Sequence, residues 1–271
     1  MTRPYALATN LLQSLSLKIV EDWIDFLGRP PATLHCFCGG NEEAKASIEA
    51  FCAERGIELV LTPDEVCPDV RASEIEVLRW QYGHVTQDWC FLVRLDAFPF
   101  RMGEADWLDR CMDTMEENGF FFATGAARVF RADKPMDQPD YMATQRLSNN
   151  CILVRPKEWL ALEEQNRPLR ETYGRYYSEG FLETHLRETD TWGLRLVNRP
   201  EWRVFHVQVW DERMLNVRES FRAGRGIRPF LEGYEDDYTD PWTRWYMFPK
   251  TPLTKRLRTT LGRLRRQVFS R

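Results

Sequence analysis

The chain has 271 residues, of which 43% are hydrophobic and 13% aromatic, enough apolar material for a large core and too much for a disordered chain. The formal net charge is −4, so the whole-chain balance argues against a nucleic-acid binder. That average hides an asymmetry: residues 255–271 hold seven cations and no acid, which leaves 30 cations against 41 anions, a net −11, in the body before them.

Tyr5–Thr9 is a short apolar run ending at Asn10, and Leu12, Leu15, Ile19, Trp23 and Phe26 then recur at spacings of three and four, a core-facing helix stripe. Gly28-Arg29-Pro30-Pro31 stops that helix. Thr33–Cys38 is a second strand, followed by Gly39-Gly40 and by Asn41 as the N-cap of a helix carrying Ile48 and Phe51. Ile57–Leu61 reads as a third strand, and a helix through Ile75, Leu78 and Tyr82 leads to the apolar strand Trp89–Leu95, which runs into Asp96. A helix through Trp107, Leu108, Cys111 and Met115 and a strand Phe120–Thr124 complete an alternation that predicts an α/β fold. Its sheet is expected to be mixed but mostly parallel and covered by helices on both faces, with ligands expected beyond the carboxyl ends of the strands.

Residues 131–146 turn polar and Pro-containing and read as a long loop. Cys151–Val154 reads as a strand, Pro156–Glu164 as a helix, and Ser178–Glu188 as another helix with Ser178 as its N-cap. Leu194–Val197 and Arg203–Val209 read as closing strands. Seven cysteines without a CxxC pair read as reduced core residues rather than a zinc site. No run reaches the roughly 20 apolar residues of a spanning helix, and MTRPYALATN lacks the apolar centre of a secretory leader. The expectation is a cytoplasmic protein.

The chain has no GxxxxGK[ST], GxGxxG after the first strand, GxSxG or HExxH, which disfavours phosphate-loop NTPases, classical dinucleotide enzymes, serine hydrolases and zincins. What remains is a set of acids and one histidine at element ends. Asp96 closes a buried strand, where a carboxylate needs a ligand, a metal or loop amides as partner; a turn-capping role fits the same position. Glu179 and Glu183 are four apart and share a helix face near its N-terminus, a placement favourable with or without catalysis. His206 lies within an apolar strand, as a core residue or as a ligand. The segment from Trp210 to Arg213 leads to Arg218, Arg222, Arg225 and Arg228 around Gly224 and Gly226, which reads either as a diphosphate-gripping loop or as a solvated face.

Over residues 5–210 this order resembles the nucleotide-sugar glycosyltransferases of the GT-A fold, in particular the inverting family 2 type. The resemblance is carried by the Rossmann-like first half, by LDAF around Asp96, by the strand segment SNNCILVRP, by the helix in SEGFLETHLRETDTWGLRLV, and by the late His206. It implies that Asp96 stands at the first acid of the DxD motif and holds the donor diphosphate through a divalent metal, Mn or Mg. It further implies that Glu179 or Glu183 is the base and that His206 completes the metal shell. Asn10, Arg71, Arg225 and Arg228 are assigned to the donor side. Phe98 stands where the second DxD acid would be, and the helix has no Glu-Asp pair.

Thr251-Pro252 opens a further helix in which Leu253, Leu257, Leu261, Leu264 and Val268 form one apolar stripe among cations. Residues 1–250 are thus expected to form the transferase domain, and residues 251–271 a basic amphipathic tail suited to an anionic membrane surface on the inner leaflet or to the acidic body. The expected activity is transfer of a sugar from a nucleotide-diphosphate donor to a saccharide or lipid-linked acceptor, in surface polysaccharide or glycolipid synthesis. The rivals are a nucleotidyltransferase of the same fold and a non-catalytic module that binds sugar nucleotide or protein.

Overall fold

The computed structural model describes residues 2–67, 74–102, 107–125, 132–174, 177–199, 201–206 and 213–224. Its first half follows the expected alternation: β1 (Ala6–Asn10), α1 (Leu17–Leu27), β2 (Thr33–Phe37), α2 (Glu42–Arg55), β3 (Glu58–Leu61), α3 (Glu74–His84) and β4 (Cys90–Val93). Gly28 ends α1 with φ 82°, a left-handed turn that other residues rarely adopt. Asn41 caps α2 by accepting a hydrogen bond from the Ala44 amide at 3.0 Å, as its sequence position predicts.

The second half contains β5 (Ala97–Arg101), α4 (Trp107–Asn118), β6 (Phe122–Thr124), β7 (Lys134–Pro135), β8 (Tyr141–Thr144), β9 (Cys151–Val154) and α5 (Pro156–Asn166). The short α6 (Arg170–Tyr173) follows, then α7 (Tyr177–Glu188), β10 (Gly193–Leu196), β11 (Trp202–His206) and α8 (Arg213–Arg222). Nine strands form one sheet in the order β3-β2-β1-β4-β9-β6-β10-β8-β7. Strands β3, β2, β1 and β4 are mutually parallel, whereas β9 runs antiparallel between β4 and β6, and β8 antiparallel to both β10 and β7. The sheet is therefore mixed, with its longest parallel block at the amino-terminal side. The polar stretch 131–146 is not simply a loop, because β7 and β8 within it extend the sheet edge.

Alternate residues of the central strands enter two separate cores, the pattern required when helices cover both faces of a sheet. Leu7, Phe91, Val93 and Leu153 pack with Trp23 of α1, Phe51 of α2 and Met115 of α4. Ala6, Ala8, Leu92 and Ile152 pack with Tyr82 of α3, Trp159 of α5 and Phe181 of α7. Each fully buried aromatic or large aliphatic side chain contributes about 1.5–3 kcal/mol. All seven cysteines are buried and unbridged, in keeping with the reading of the sequence.

Strand β5 is not evident in the sequence, and β11 does not close the main sheet: the two form a separate antiparallel ladder with His206 opposite Ala97 and Phe205 opposite Phe98. Trp23 anchors this ladder by donating its indole N–H to the Ala97 carbonyl at 3.1 Å. Gly125 lets it approach the end of β6, since a Cβ there would stand 3.1–3.2 Å from Val204 and Cys151. The small sheet thus holds the residue after β4 against the carboxyl ends of the parallel strands.

Candidate active site

Asp96 lies in the turn between β4 and β5. The turn is fixed from both sides: the Arg94 amide donates to the Asn150 carbonyl, and the Ala97 amide donates to the Arg94 carbonyl, both at 3.0 Å. Thr9 of β1 donates its hydroxyl to the Val93 carbonyl at 3.0 Å, binding the ends of β1 and β4 together. The ladder register then brings His206 beside Asp96, with Nε2 2.8 Å from Oδ2. Asp96 is 1% exposed, and its Oδ1 is buried with no hydrogen-bond partner among the described residues. A buried carboxylate oxygen left so costs on the order of 1–3 kcal/mol, a cost that a bound ligand would remove.

A divalent cation at a nucleotide site is commonly held by one or two carboxylates and completed by phosphate oxygens and water. Asp96 Oδ1, with His206 adjacent, fits an ion shared in that way with a diphosphate. It does not fit a cage built by protein alone: Phe98 is fully buried in the core, and among the described residues no three His, Cys, Asp or Glu side chains are placed to hold a metal ion together.

The second part of the site lies between α3 and α7. Ser148, Asn149 and Asn150, all buried, precede β9. The Asn149 amide donates to Glu179 Oε1 at 3.2 Å, and its side-chain amide donates to the Ser178 hydroxyl at 2.5 Å. Burial pushes the Glu179 carboxyl above its usual pKa; the Asn149 amide and Arg94 oppose this, whereas Glu183 and Glu74 add to it. Glu183, one turn later, is a different group. Its Oε2 accepts from Arg187 at 2.6 Å and Arg146 at 3.3 Å, and its Oε1 from the Leu147 amide at 3.3 Å. A carboxylate whose two oxygens are already taken by two guanidinium groups and a backbone amide is less free to meet an acceptor hydroxyl.

Asn10, Glu74, Gln81, Asn149 and Ser178 line a small cavity of about 10 Å³ between these elements. The Asn10 Oδ1 and Gln81 Oε1 atoms are buried without hydrogen-bond partners among the described residues, while Gln81 Nε2 donates to the Thr9 carbonyl at 3.1 Å. A larger cleft of about 220 Å³ opens beyond the carboxyl ends of β2 and β3, lined by Cys38, Asn41, Lys45, Thr62 and Asp64 among others. The Thr62 hydroxyl is buried and has no hydrogen-bond partner among the described residues.

Of the residues singled out in the sequence, Asp96 and His206 are in contact, and Asn10 and Glu179 sit at neighbouring strand and helix ends. Glu183 is drawn into an ion-pair cluster. Arg71, Arg225 and Arg228 lie outside the described residues, as does the tail 251–271. Two readings change. Arg218 and Arg222 belong to helix α8, not to a loop, and clamp the buried Asp22 of α1 at 2.5–2.7 Å, so they are structural. Ser178 lies inside α7, which begins at Tyr177, and serves as a hydrogen-bond acceptor for Asn149. Sequence reasoning missed Arg94, Glu74, Gln81 and Asn149. The only available signals were a lone arginine breaking the apolar run FLVRLD and two asparagines placed before CILV.

The chain matches no protein-family model, and no curated protein is similar to it in sequence. Among solved structures, mannose-1-phosphate geranyltransferase from Thermus thermophilus is 12% identical, with a TM-score of 0.49 over 81% of this chain and 80% of that one. A UDP-glucose pyrophosphorylase complexed with UDP-glucose is 8% identical, with a TM-score of 0.47 over 73% of this chain and 91% of that one. The apo-form glycosyltransferase GlyE of Streptococcus pneumoniae is 10% identical, with a TM-score of 0.46 over 85% of this chain and 53% of that one. Likenesses at this level specify neither substrate nor reaction.

Proposed function

We propose that the protein is a glycosyltransferase that uses a nucleotide-diphosphate sugar, with inversion at the transferred carbon. The observation that carries this reading is, at the carboxyl side of the sheet, the buried Asp96 carboxylate, whose Oδ1 has no hydrogen-bond partner among the described residues, together with the half-buried Glu179, whose pKa desolvation raises. Open α/β sheets bind ligands there, where the strand order reverses, and here β1 and β4 flank that point.

Sugar transfer forms a bond between an acceptor hydroxyl oxygen and the anomeric carbon and breaks the bond from that carbon to the diphosphate. The hydroxyl proton must go to a base and the departing charge must be compensated. Glu179 is the base in this reading, because burial raises its proton affinity and a backbone amide, not a guanidinium, donates to its carboxylate. Glu183 holds the preceding loop through Arg146 and Leu147. Asp96 and His206 would hold a divalent ion, which supplies positive charge to the leaving diphosphate. The nucleoside half occupies the cleft beside Cys38 and Thr62, where the buried Thr62 hydroxyl gives it a hydrogen-bonding contact. Asn10, Arg71, Arg225 and Arg228 remain assigned to the donor side, the acceptor to a saccharide or glycolipid, and the tail 251–271 to an anionic membrane surface.

A nucleotidyltransferase is less well supported, since residues 10–16 after β1 contain no cation to grip a triphosphate. Phe98 at the second acid position favours a binding module as the second reading. Titration with UDP, GDP and TDP sugars, and in parallel with the nucleoside triphosphates and a sugar 1-phosphate, each with and without manganese, separates the three. Release of nucleoside diphosphate with sugar transfer or hydrolysis supports the transferase, release of pyrophosphate from a triphosphate and a sugar phosphate supports the nucleotidyltransferase, and binding without turnover supports the module.

A further inference from the structure

Arg94 has a role that the site described so far leaves open. It leaves β4 two residues before Asp96, and its main chain is fixed at both ends by the bonds to Asn150 and Ala97. Its guanidinium NH2 is paired with Glu74 at the start of α3, while its Nε is buried and has no hydrogen-bond partner among the described residues. The side chains of Arg94 and Glu74 are 30% and 40% exposed, so their ion pair lies open to solvent and belongs to a class worth at most about 1 kcal/mol. Arg94 also acts electrostatically on Glu179. Arg146 and Arg187 of the same region are already engaged by Glu183.

We propose that Arg94 is a diphosphate-binding residue, held by Glu74 in the empty site and transferred from Glu74 to the donor's phosphate oxygens when the nucleotide enters. This deepens the transferase reading and rests on it. A diphosphate entering beside Asp96, Glu74 and Glu179 brings further negative charge to a region already rich in carboxylates, and a fixed guanidinium fork on the turn that presents Asp96 compensates it. The diphosphate is the stronger partner, because it carries more negative charge than the single Glu74 carboxylate and offers the guanidinium fork the same bidentate, charge-assisted geometry. Glu74 is therefore a competitor for Arg94 and a placeholder that keeps the guanidinium in position.

The two partners consequently have opposite effects, which a plain structural latch between α3 and β4 would not produce. Calorimetric titration of the full chain with UDP, GDP and TDP should show Arg94→Ala weakening nucleoside diphosphate binding at least tenfold and Arg94→Lys weakening it less. Glu74→Gln should tighten it by about threefold, and Glu74→Gln combined with Arg94→Ala should behave like Arg94→Ala alone. Thermal melting identifies any variant that fails to fold, and Glu74→Gln and Arg94→Lys retain the test if Arg94→Ala does. Equal weakening by Glu74→Gln and Arg94→Ala, or unchanged binding in Arg94→Ala, overturns the proposal while leaving the transferase reading in place. Failure of the wild-type chain to bind any of the three overturns the transferase reading and this proposal with it.

Discussion

Buried carboxylates occur in two kinds of surroundings in this protein. Glu163 of α5, fully buried, is met by Arg170 at 2.9 Å, Arg79 at 3.0 Å and the Tyr177 hydroxyl at 3.2 Å. Asp22 of α1 is likewise enclosed by Arg218 and Arg222. Asp96 and the half-buried Glu179 have no such enclosure among the described residues: one keeps a bare oxygen beside a histidine, and the other accepts from a backbone amide. The first kind ties helices together, with Glu163 linking α3, α5 and the start of α7, the helix that carries Glu179. Carboxylates paired with guanidinium groups tie the scaffold together, and the bare oxygen of Asp96, which has no such pair among the described residues, is the place we assign to a ligand.

The largest effect expected on activity is at Glu179. Glu179→Gln should lower the chemical step about 10²- to 10⁴-fold, the range for removing a general base, whereas Glu183→Gln should cost less than about tenfold. Single-turnover kinetics distinguish them, and equal losses would erase the contrast between the two glutamates. Next is Glu163→Ala, which leaves arginines facing an empty buried site and should destabilise the fold by about 3 kcal/mol in urea unfolding. A loss below about 1 kcal/mol would show that the hub is not structural.

A pH dependence follows from His35, which is fully buried on β2 and whose pKa burial, aided by His84, lowers to about 4. The unfolded chain binds the proton near pH 6.5, so this stability is complete above about 6.5 and is lost as pH falls towards 4, by about 3 kcal/mol in all. His35→Gln should remove that component of an acid unfolding series, and an unchanged acid profile would contradict the assignment. The smallest expected effect is at Cys38, which lines the cleft given to the nucleoside. Saturating nucleotide should slow its alkylation severalfold, as mass-spectrometric mapping would show, and undiminished labelling would place the nucleoside elsewhere.

The parallel half of the fold is legible in the sequence because glycine, proline and capping residues punctuate each strand and helix, as at Gly28 and Asn41. Strand β5 is hidden because Pro99 falls in its middle, a residue that normally speaks against a strand; it is tolerated in a two-stranded ladder, opposite Val204. Strands β7 and β8 are hidden by their shortness and by the polar text around them. Asp96 and His206 are visible singly as candidates, but 110 residues separate them and only the β5–β11 register joins them. Spacing alone leaves Glu179 and Glu183 equivalent, and the choice between them comes from Arg146 and Arg187, whose contacts depend on tertiary packing.

The central claim, that Asp96 and Glu179, which have no guanidinium partner among the described residues, do the chemistry, is tested most directly at Asp96. Asp96→Asn keeps size and shape and removes the charge, so nucleotide-sugar turnover with manganese present should fall at least about a hundredfold. The melting temperature should stay close to that of the wild type. Turnover at the wild-type rate in that variant, or unfolding in place of inactivation, would contradict the account.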